Sequence, residues 1–279
     1  MKPARFRYEC PADLANAIAL NDRDDLDVRI LAGGQSLGPM LNFRLAQPGM
    51  LVDITRIPEL KRVDVENDAI TVGACVTHAD FEDGRVPDVT GGALPRVARD
   101  IAYRAVRTRG TIGGSLVHAD PAADWPSSLA AIGAEVILRG PAGARRLAIE
   151  DFITGVFEVS LERGEILESI RIPRFSRAAR FGYCKISRKP GELAQAIGAI
   201  CHDPERAVFR AVFGATRSTP IVVRDAASLF AGRSPMGGAN AFDAGAAARV
   251  LISAGMSDRF DNQIHVAALK RAAESAGFA

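Results

Sequence analysis

The chain has 279 residues, room for about two or three domains of roughly 100–200 residues each. Hydrophobic residues make up 48 % and charged residues 24 %, which excludes a disordered tail and describes a globular protein with an ample core. Lys plus Arg number 35 against 33 Asp plus Glu, so nothing in the balance points to nucleic acid. No apolar run approaches the roughly 20 residues of a membrane span, and MKPARFRYECPADL lacks the apolar stretch of a secretory signal.

In chain order, residues 11–20 read as a short helix with Pro at its start, and Val28–Leu31 as a strand. Gly33-Gly34 follows, then a helix over 36–45 and a strand over 50–54. Residues 69–73 are β-branched and predict a strand. Residues 94–102 carry Leu94, Val97, Ala98 and Ile101 at helical spacing. A second glycine pair stands in Gly110-Thr-Ile-Gly-Gly-Ser115, and residues 124–132 begin another helix. Residues 135–139 and 146–149 flank Gly-Pro-Ala-Gly, a hairpin signature, and 165–172 form a strand ending at Pro173. A boundary is expected near the basic stretch 174–180. Beyond it come strands over 182–187, 194–201 and 207–213 and helices over 243–254 and 263–276, an α+β arrangement.

The four cysteines, Cys10, Cys75, Cys184 and Cys201, form no C-x-x-C pair and have no histidine at zinc spacing. They read as buried or half-buried free thiols of a reducing cytoplasm, and no metal or iron–sulfur site is expected on this chain.

Two loops share a design: Ala32-Gly33-Gly34-Gln35-Ser36 and Thr111-Ile112-Gly113-Gly114-Ser115. Glycine lets backbone N–H groups approach a ligand closely and converge on it. Hydroxyls of Ser36, Thr111 and Ser115 add donors, which suits a pyrophosphate. Neither loop is a G-x-x-x-x-G-K-[ST] P-loop or a G-x-G-x-x-G dinucleotide fingerprint. His118-Ala-Asp-Pro-Ala-Ala-Asp124 follows closely; Asp120 and Asp124 suit a general base, a polyol contact or a helix cap. His78 reads as a surface or capping group and Trp125 as a core anchor. Arg104, Arg107 and Arg109 form a basic patch suited to phosphates or to a partner.

Three segments, Ala-Gly-Gly-Gln-Ser at 32–36, Arg-Gly-Thr-Ile-Gly-Gly-Ser at 109–115 and His-Ala-Asp-Pro-Ala-Ala-Asp at 118–124, resemble the FAD-binding medium subunit of molybdenum hydroxylases. That family includes the flavoprotein subunits of aerobic carbon monoxide dehydrogenase and the middle domain of xanthine dehydrogenase. Asp-Ile-Thr at 53–55, Glu165-Ile-Leu, Ile-Arg-Ile-Pro at 170–173, and Tyr-Cys-Lys185 fall in the same order.

The resemblance implies an α+β protein with a two-subdomain FAD-binding fold of the vanillyl-alcohol-oxidase type, over residues 1–56 and 57–175. A small α+β domain over 176–279 would cover the flavin. It implies FAD on this chain, with the molybdenum cofactor on a large partner subunit and [2Fe–2S] clusters on a small one, in a dimer of heterotrimers. Ala32, Gly33, Gly34, Gln35, Ser36 and Leu37 would form one pyrophosphate loop, and Thr111, Gly113, Gly114 and Ser115 the other. Asp124 would contact the FAD polyol, Ile166 or Leu167 the adenine or dimethylbenzene part, and Lys185 the pyrimidine edge. No catalytic residue is implied, because substrate oxidation would occur on another chain. Relatives often carry His at Gln35 and Asn at Ser115, and tend to have an aromatic residue where Leu193 stands. A leucine cannot stack in the same way, so the flavin face would be more open there, or another residue such as Tyr183 or Phe181 would cover it. The rival readings are a self-standing flavin oxidase or reductase and a non-enzymatic assembly subunit.

Overall fold

Short polar side chains start many of the helices. Asp13, Thr77, Thr111, Asp243 and Asp258 each accept a backbone N–H of the first turn, which satisfies a donor that the helix itself leaves free. The computed structural model describes residues 2–230 and 242–278.

The first segment is β1 (Arg7–Glu9), α1 (Leu14–Asn21), β2 (Val28–Leu31), α2 (Leu37–Asn42) and β3 (Met50–Asp53). Its three strands form a parallel sheet with β3 in the middle. The second segment holds β4 (Val63–Val65), β5 (Ala69–Gly73), α3 (His78–Glu82), α4 (Ala93–Asp100), α5 (Arg104–Arg107), α6 (Ile112–His118), α7 (Asp124–Ile132), β6 (Glu135–Gly140), β7 (Gly143–Ala148), α8 (Ile149–Phe152), β8 (Ile153–Gly155), β9 (Glu158–Val159) and β10 (Ile166–Pro173). Here β4-β5-β10-β6-β7 make an antiparallel sheet, and β8 and β9 a small hairpin. The third segment is β11 (Arg180–Ile186), β12 (Ala196–Asp203), β13 (Val208–Gly214), β14 (Ile221–Val223), α9 (Ala244–Ser253) and α10 (Arg259–Ser275), with its four strands antiparallel in that order.

The mixed helix and sheet content matches the expectation, with differences in detail. Residues 112–115, read as loop, are the first turns of α6, because Thr111 caps them and only the glycines' propensity argued otherwise. The helix expected over 36–45 ends at Asn42, and Arg44 turns the chain at φ +58°. The short elements β1, β4, β8, β9, β14, α3, α5 and α8 hold two to five residues each, too few to show a period. Cys10 is exposed rather than buried, since it follows edge strand β1.

All nine residues of α7 are buried. The helix packs on β12 and β13 with one side and on α4, α6, α8 and β10 with the others. A helix enclosed on every side must be small or apolar all round. Asp-Trp-Pro-Ser-Ser-Leu-Ala-Ala-Ile meets that demand apart from its first residue. Ser127 lies so close to Gly214 of β13 that a side chain there would overlap its hydroxyl. Strand β12 is likewise buried on both faces, between α7 and α10, which explains Ala196, Gly198 and Ala199 in its sequence.

The hydroxyls of Ser127 and Ser128 have no hydrogen-bond partner among the described residues. A buried unpaired hydroxyl contributes nothing to offset its desolvation. Ser128→Ala should therefore leave stability unchanged or raise it by up to about 1 kcal/mol. Ala130→Leu, in the same enclosed helix, should lower it by about 1–3 kcal/mol through overpacking. Urea unfolding of both variants beside the parent chain checks the pair.

Candidate functional site

The two glycine loops meet. A side chain on Gly33 would overlap the carbonyl of Arg109 and come within 2.8 Å of the Gly110 Cα, so the first loop lies directly on the entry to the second. Gly34 sits at φ +71°, which turns the chain from β2 into α2. Gln35 Nε2 donates to Gly33 O at 3.1 Å and braces that turn. Gly113 packs against Ala74, whose carbonyl is 2.7 Å from where a Cβ would stand. These glycines serve the close approach of protein to protein as much as any ligand.

The loops differ in what their N–H groups do. In the second, Ile112 N donates to Val76 O, Gly113 N to Ala74 O, Gly114 N to the Thr111 hydroxyl and Ser115 N to Thr111 O, all at 3.0 Å. Those donors are spent inside the protein. In the first, the N–H groups of Gly33, Gly34, Gln35, Ser36 and Leu37 meet no acceptor among the described residues. Five successive unpaired donors at a strand–helix turn make a concavity suited to an anion. Ser36 makes no cap bond, so its hydroxyl adds to that set.

Asp124 opens α7 in the interior, 5 % exposed. The Tyr183 hydroxyl donates to Asp124 Oδ1. Lys185 Nζ lies 3.1 Å from Oδ1 and 3.2 Å from Oδ2, and also donates to the carbonyl of Asp100 at 3.1 Å. Burial raises the Asp124 pKa, against the opposing pull of Lys185 and of the Tyr183 hydrogen bond; burial and the Asp124 charge hold the Tyr183 phenol well above its ordinary value. Lys185 is no surface lysine, since its side chain is 8 % exposed.

The remaining candidates are placed elsewhere. Ile166 is buried in the core of the first sheet and Leu167 in the central core, so their side chains are taken up by protein packing. Asp120 does not cap a helix; its Oδ1 accepts Ala122 N at 2.9 Å in a local turn. His118 closes α6 and stacks on Phe157, with ring centroids 5.0 Å apart. Arg104 and Arg107 are committed to Glu82 and Asp83, so two of the three arginines before the second loop belong to an ion-pair network, while Arg109 is exposed and in no ion pair among the described residues. Phe181 packs toward Phe175, and Leu193 is 64 % exposed. Tyr103, which the sequence did not single out, is an exposed ring seated against Gly191 in the Leu193 loop.

His78 is the clearest correction. It is 5 % exposed, not a surface group. Its Nδ1 accepts the indole N–H of Trp125 at 3.0 Å, and Gly110 lies against the ring. The neutral ring therefore carries its proton on Nε2. His78 thus joins the second loop to α7 one residue from Asp124.

Residues 4–175 match the family described as the FAD binding domain in molybdopterin dehydrogenase. The carbon monoxide dehydrogenase medium chain of Hydrogenophaga pseudoflava is 37 % identical over 196 residues, 70 % of this chain and 68 % of that one. Caffeine dehydrogenase subunit beta of Pseudomonas sp. (strain CBB1) is 37 % identical over 201 residues, 72 % of this chain and 68 % of that one. Among solved structures, the Hydrogenophaga pseudoflava carbon monoxide dehydrogenase that lacks the Mo-pyranopterin moiety superposes at a TM-score of 0.87. The match has 31 % identity and covers 99 % of both chains. Quinoline 2-oxidoreductase from Pseudomonas putida 86 superposes at 0.79, also with 31 % identity over 99 % of both chains. The chain belongs to the family of FAD-binding medium subunits of molybdenum hydroxylases, and it is an oxidoreductase component.

Burial and the nearby Arg107 charge push the His78 pKa down to about 4. The unfolded chain titrates near 6.5, so the stability tied to the neutral ring is full above that pH and declines as pH falls toward 4. Acidifying from pH 7.5 to 5 should remove about 2 kcal/mol of unfolding free energy through this residue, and His78→Gln should flatten the profile. Urea melts across that range check it. Asp124→Asn should cost about 3 kcal/mol or more by stranding the Lys185 ammonium, and Asp124→Asn with Lys185→Met should recover over half of it in a double-mutant cycle.

Proposed function

We propose that this chain is the electron-transfer subunit of a molybdenum hydroxylase complex. It would take electrons from [2Fe–2S] clusters on a small partner subunit and deliver them to an external acceptor. A large partner subunit would hold the molybdenum cofactor. The reading extends to a dimer of heterotrimers in the cytoplasm; among the described residues no helix is long and apolar enough to cross a membrane. Residues 1–56 and 57–175 would clamp FAD in the manner of the vanillyl-alcohol-oxidase type, and residues 176–279 would close over it.

The observation that carries the cofactor site is the run of five unpaired N–H groups from Gly33 to Leu37. A pyrophosphate is the part of FAD that such a run fits. The second loop supports it from below. Gly113 and Gly114 set the close contacts, while Thr111 and the half-buried Ser115 offer hydroxyls. When bound, the flavin supplies exchange of electrons between a one-electron donor and an acceptor that takes one or two.

The chain's own residues orient and tune it. Asp124 has lone pairs beyond those used by Tyr183 and Lys185, and these would receive polyol hydroxyls. Lys185 spends two directions of its ammonium on Asp124 and the Asp100 carbonyl and keeps a third N–H. That donor would face the pyrimidine edge and favour negative charge there. The partial neutralisation by Asp124 makes this a moderate tuning influence. Tyr103, beside the Leu193 loop, is the exposed ring we propose for the flavin face that Leu193 leaves open.

The test is to purify the chain with its partners and record flavin absorbance. FAD should be released together with a molybdenum-containing large chain and an iron–sulfur chain. Gly33→Val, which drives a side chain into the Arg109 carbonyl, should retain less than about a tenth of the parent's FAD while keeping its circular dichroism. A yellow chain that oxidises an organic substrate without partners would contradict the reading.

A further inference from the structure

A cleft of about 620 Å³ shares no residue with the glycine loops, Asp124 or Lys185. It lies between the start of α4, the 174–181 segment and the end of α10. Helix α4 runs along β11, with Arg96 midway along it bonded to the Tyr183 carbonyl and the Asp100 carbonyl at its end bonded to Lys185. The start of α4 thus lines the cleft, and the end of the same helix meets Lys185.

Four arginines line the cleft: Arg96, Arg174, Arg177 and Arg180. Many of the described arginines are paired with carboxylates; none of these four forms an ion pair among the described residues. Their hydrogen bonds go to neutral carbonyls. Arg96 donates to Tyr183 O at 3.0 Å, Arg174 to Glu66 O and Asn67 O at 3.0 Å, and Arg180 to Ala179 O at 3.1 Å. Arg177 makes no hydrogen bond among the described residues. The one carboxylate in the lining is Asp88. Its oxygens already accept from the Thr90 N–H and hydroxyl and from the Gly92 N–H, so it turns toward its own loop.

Four arginines around one concavity, with Arg177 and Arg180 exposed, give it a positive potential that an anion would offset. Arginine is the residue whose planar fork matches phosphate oxygens two at a time. The size is within the range of small-molecule sites. We infer that this cleft binds a small molecule carrying two or more phosphate groups, at a site separate from that of FAD.

The experiment uses the flavin-loaded complex titrated with inorganic tripolyphosphate by calorimetry at low salt. One site per chain is expected, weakening as salt rises. Arg174→Ala with Arg177→Ala should weaken it at least about tenfold while flavin absorbance stays unchanged. Arg177→Glu is the second variant, because that side chain holds no structural bond, and it should do the same. Absence of saturable binding, or binding unaltered in both variants, would overturn the inference. Binding by the isolated chain that disappears on assembly would also overturn it, since the arginines would then serve an acidic segment of a partner.

Discussion

The enclosure of α7 constrains everything else in this molecule. Nine consecutive residues lie inside the protein, against two sheets and three helices. Small side chains let the sheets approach, and Leu129 and Ile132 fill the core between them. The cost is that the helix begins inside as well, so Asp124 enters the interior with it. A carboxylate there persists only with partners that offset its desolvation. Tyr183 and Lys185 supply them from alternate positions of β11, on the face of the third sheet that meets α7. One buried ion pair thus ties the second segment to the third and sets the ammonium where a flavin edge is proposed to lie.

The second dependency is the docking of loop on loop. Gly33 rests on Arg109 and Gly110, Gly110 rests on His78, and His78 receives the hydrogen bond of Trp125. This line of contacts runs from the proposed phosphate-binding turn to the first residues of α7. It explains why a histidine with no metal or acid–base partner stands at position 78. It also separates the jobs of the two glycine pairs, which the sequence presents as equivalent. The second pair lets α6 pack on the segment after β5 and uses up its donors there. The first leaves its donors unpaired.

Most of the fold was legible because long elements carry periodic signals: β10, β12, β13 and α10 stand where the apolar spacing put them, to within a few residues at their ends. The glycine pairs were legible as places where backbone comes close, because glycine alone permits such an approach, and both meet protein backbone closely here. The pairing of Asp124 with Lys185 and Tyr183 was not, since about sixty residues separate the partners and no local pattern links them. The burial of His78 was missed for the same reason: its partner Trp125 lies 47 residues away. Ile166 and Leu167 were assigned to a ligand on resemblance, yet their β10 positions alternate between two cores of the protein itself. Arg104 and Arg107 read as a free basic patch only because Glu82 and Asp83 are distant in sequence.

The central claim is that the unpaired donors of Gly33 to Leu37 hold the pyrophosphate of FAD. Titrating the flavin-free chain with FAD, FMN and riboflavin, followed by flavin fluorescence, tests it most directly. The account predicts that FAD saturates one site per chain. FMN, with one phosphate, should bind at least about a hundredfold more weakly, since two or more charge-assisted hydrogen bonds are lost. Riboflavin should show no saturation in the same range. Equal affinity for FAD and FMN would contradict the claim and move the binding energy to the flavin ring and its contacts.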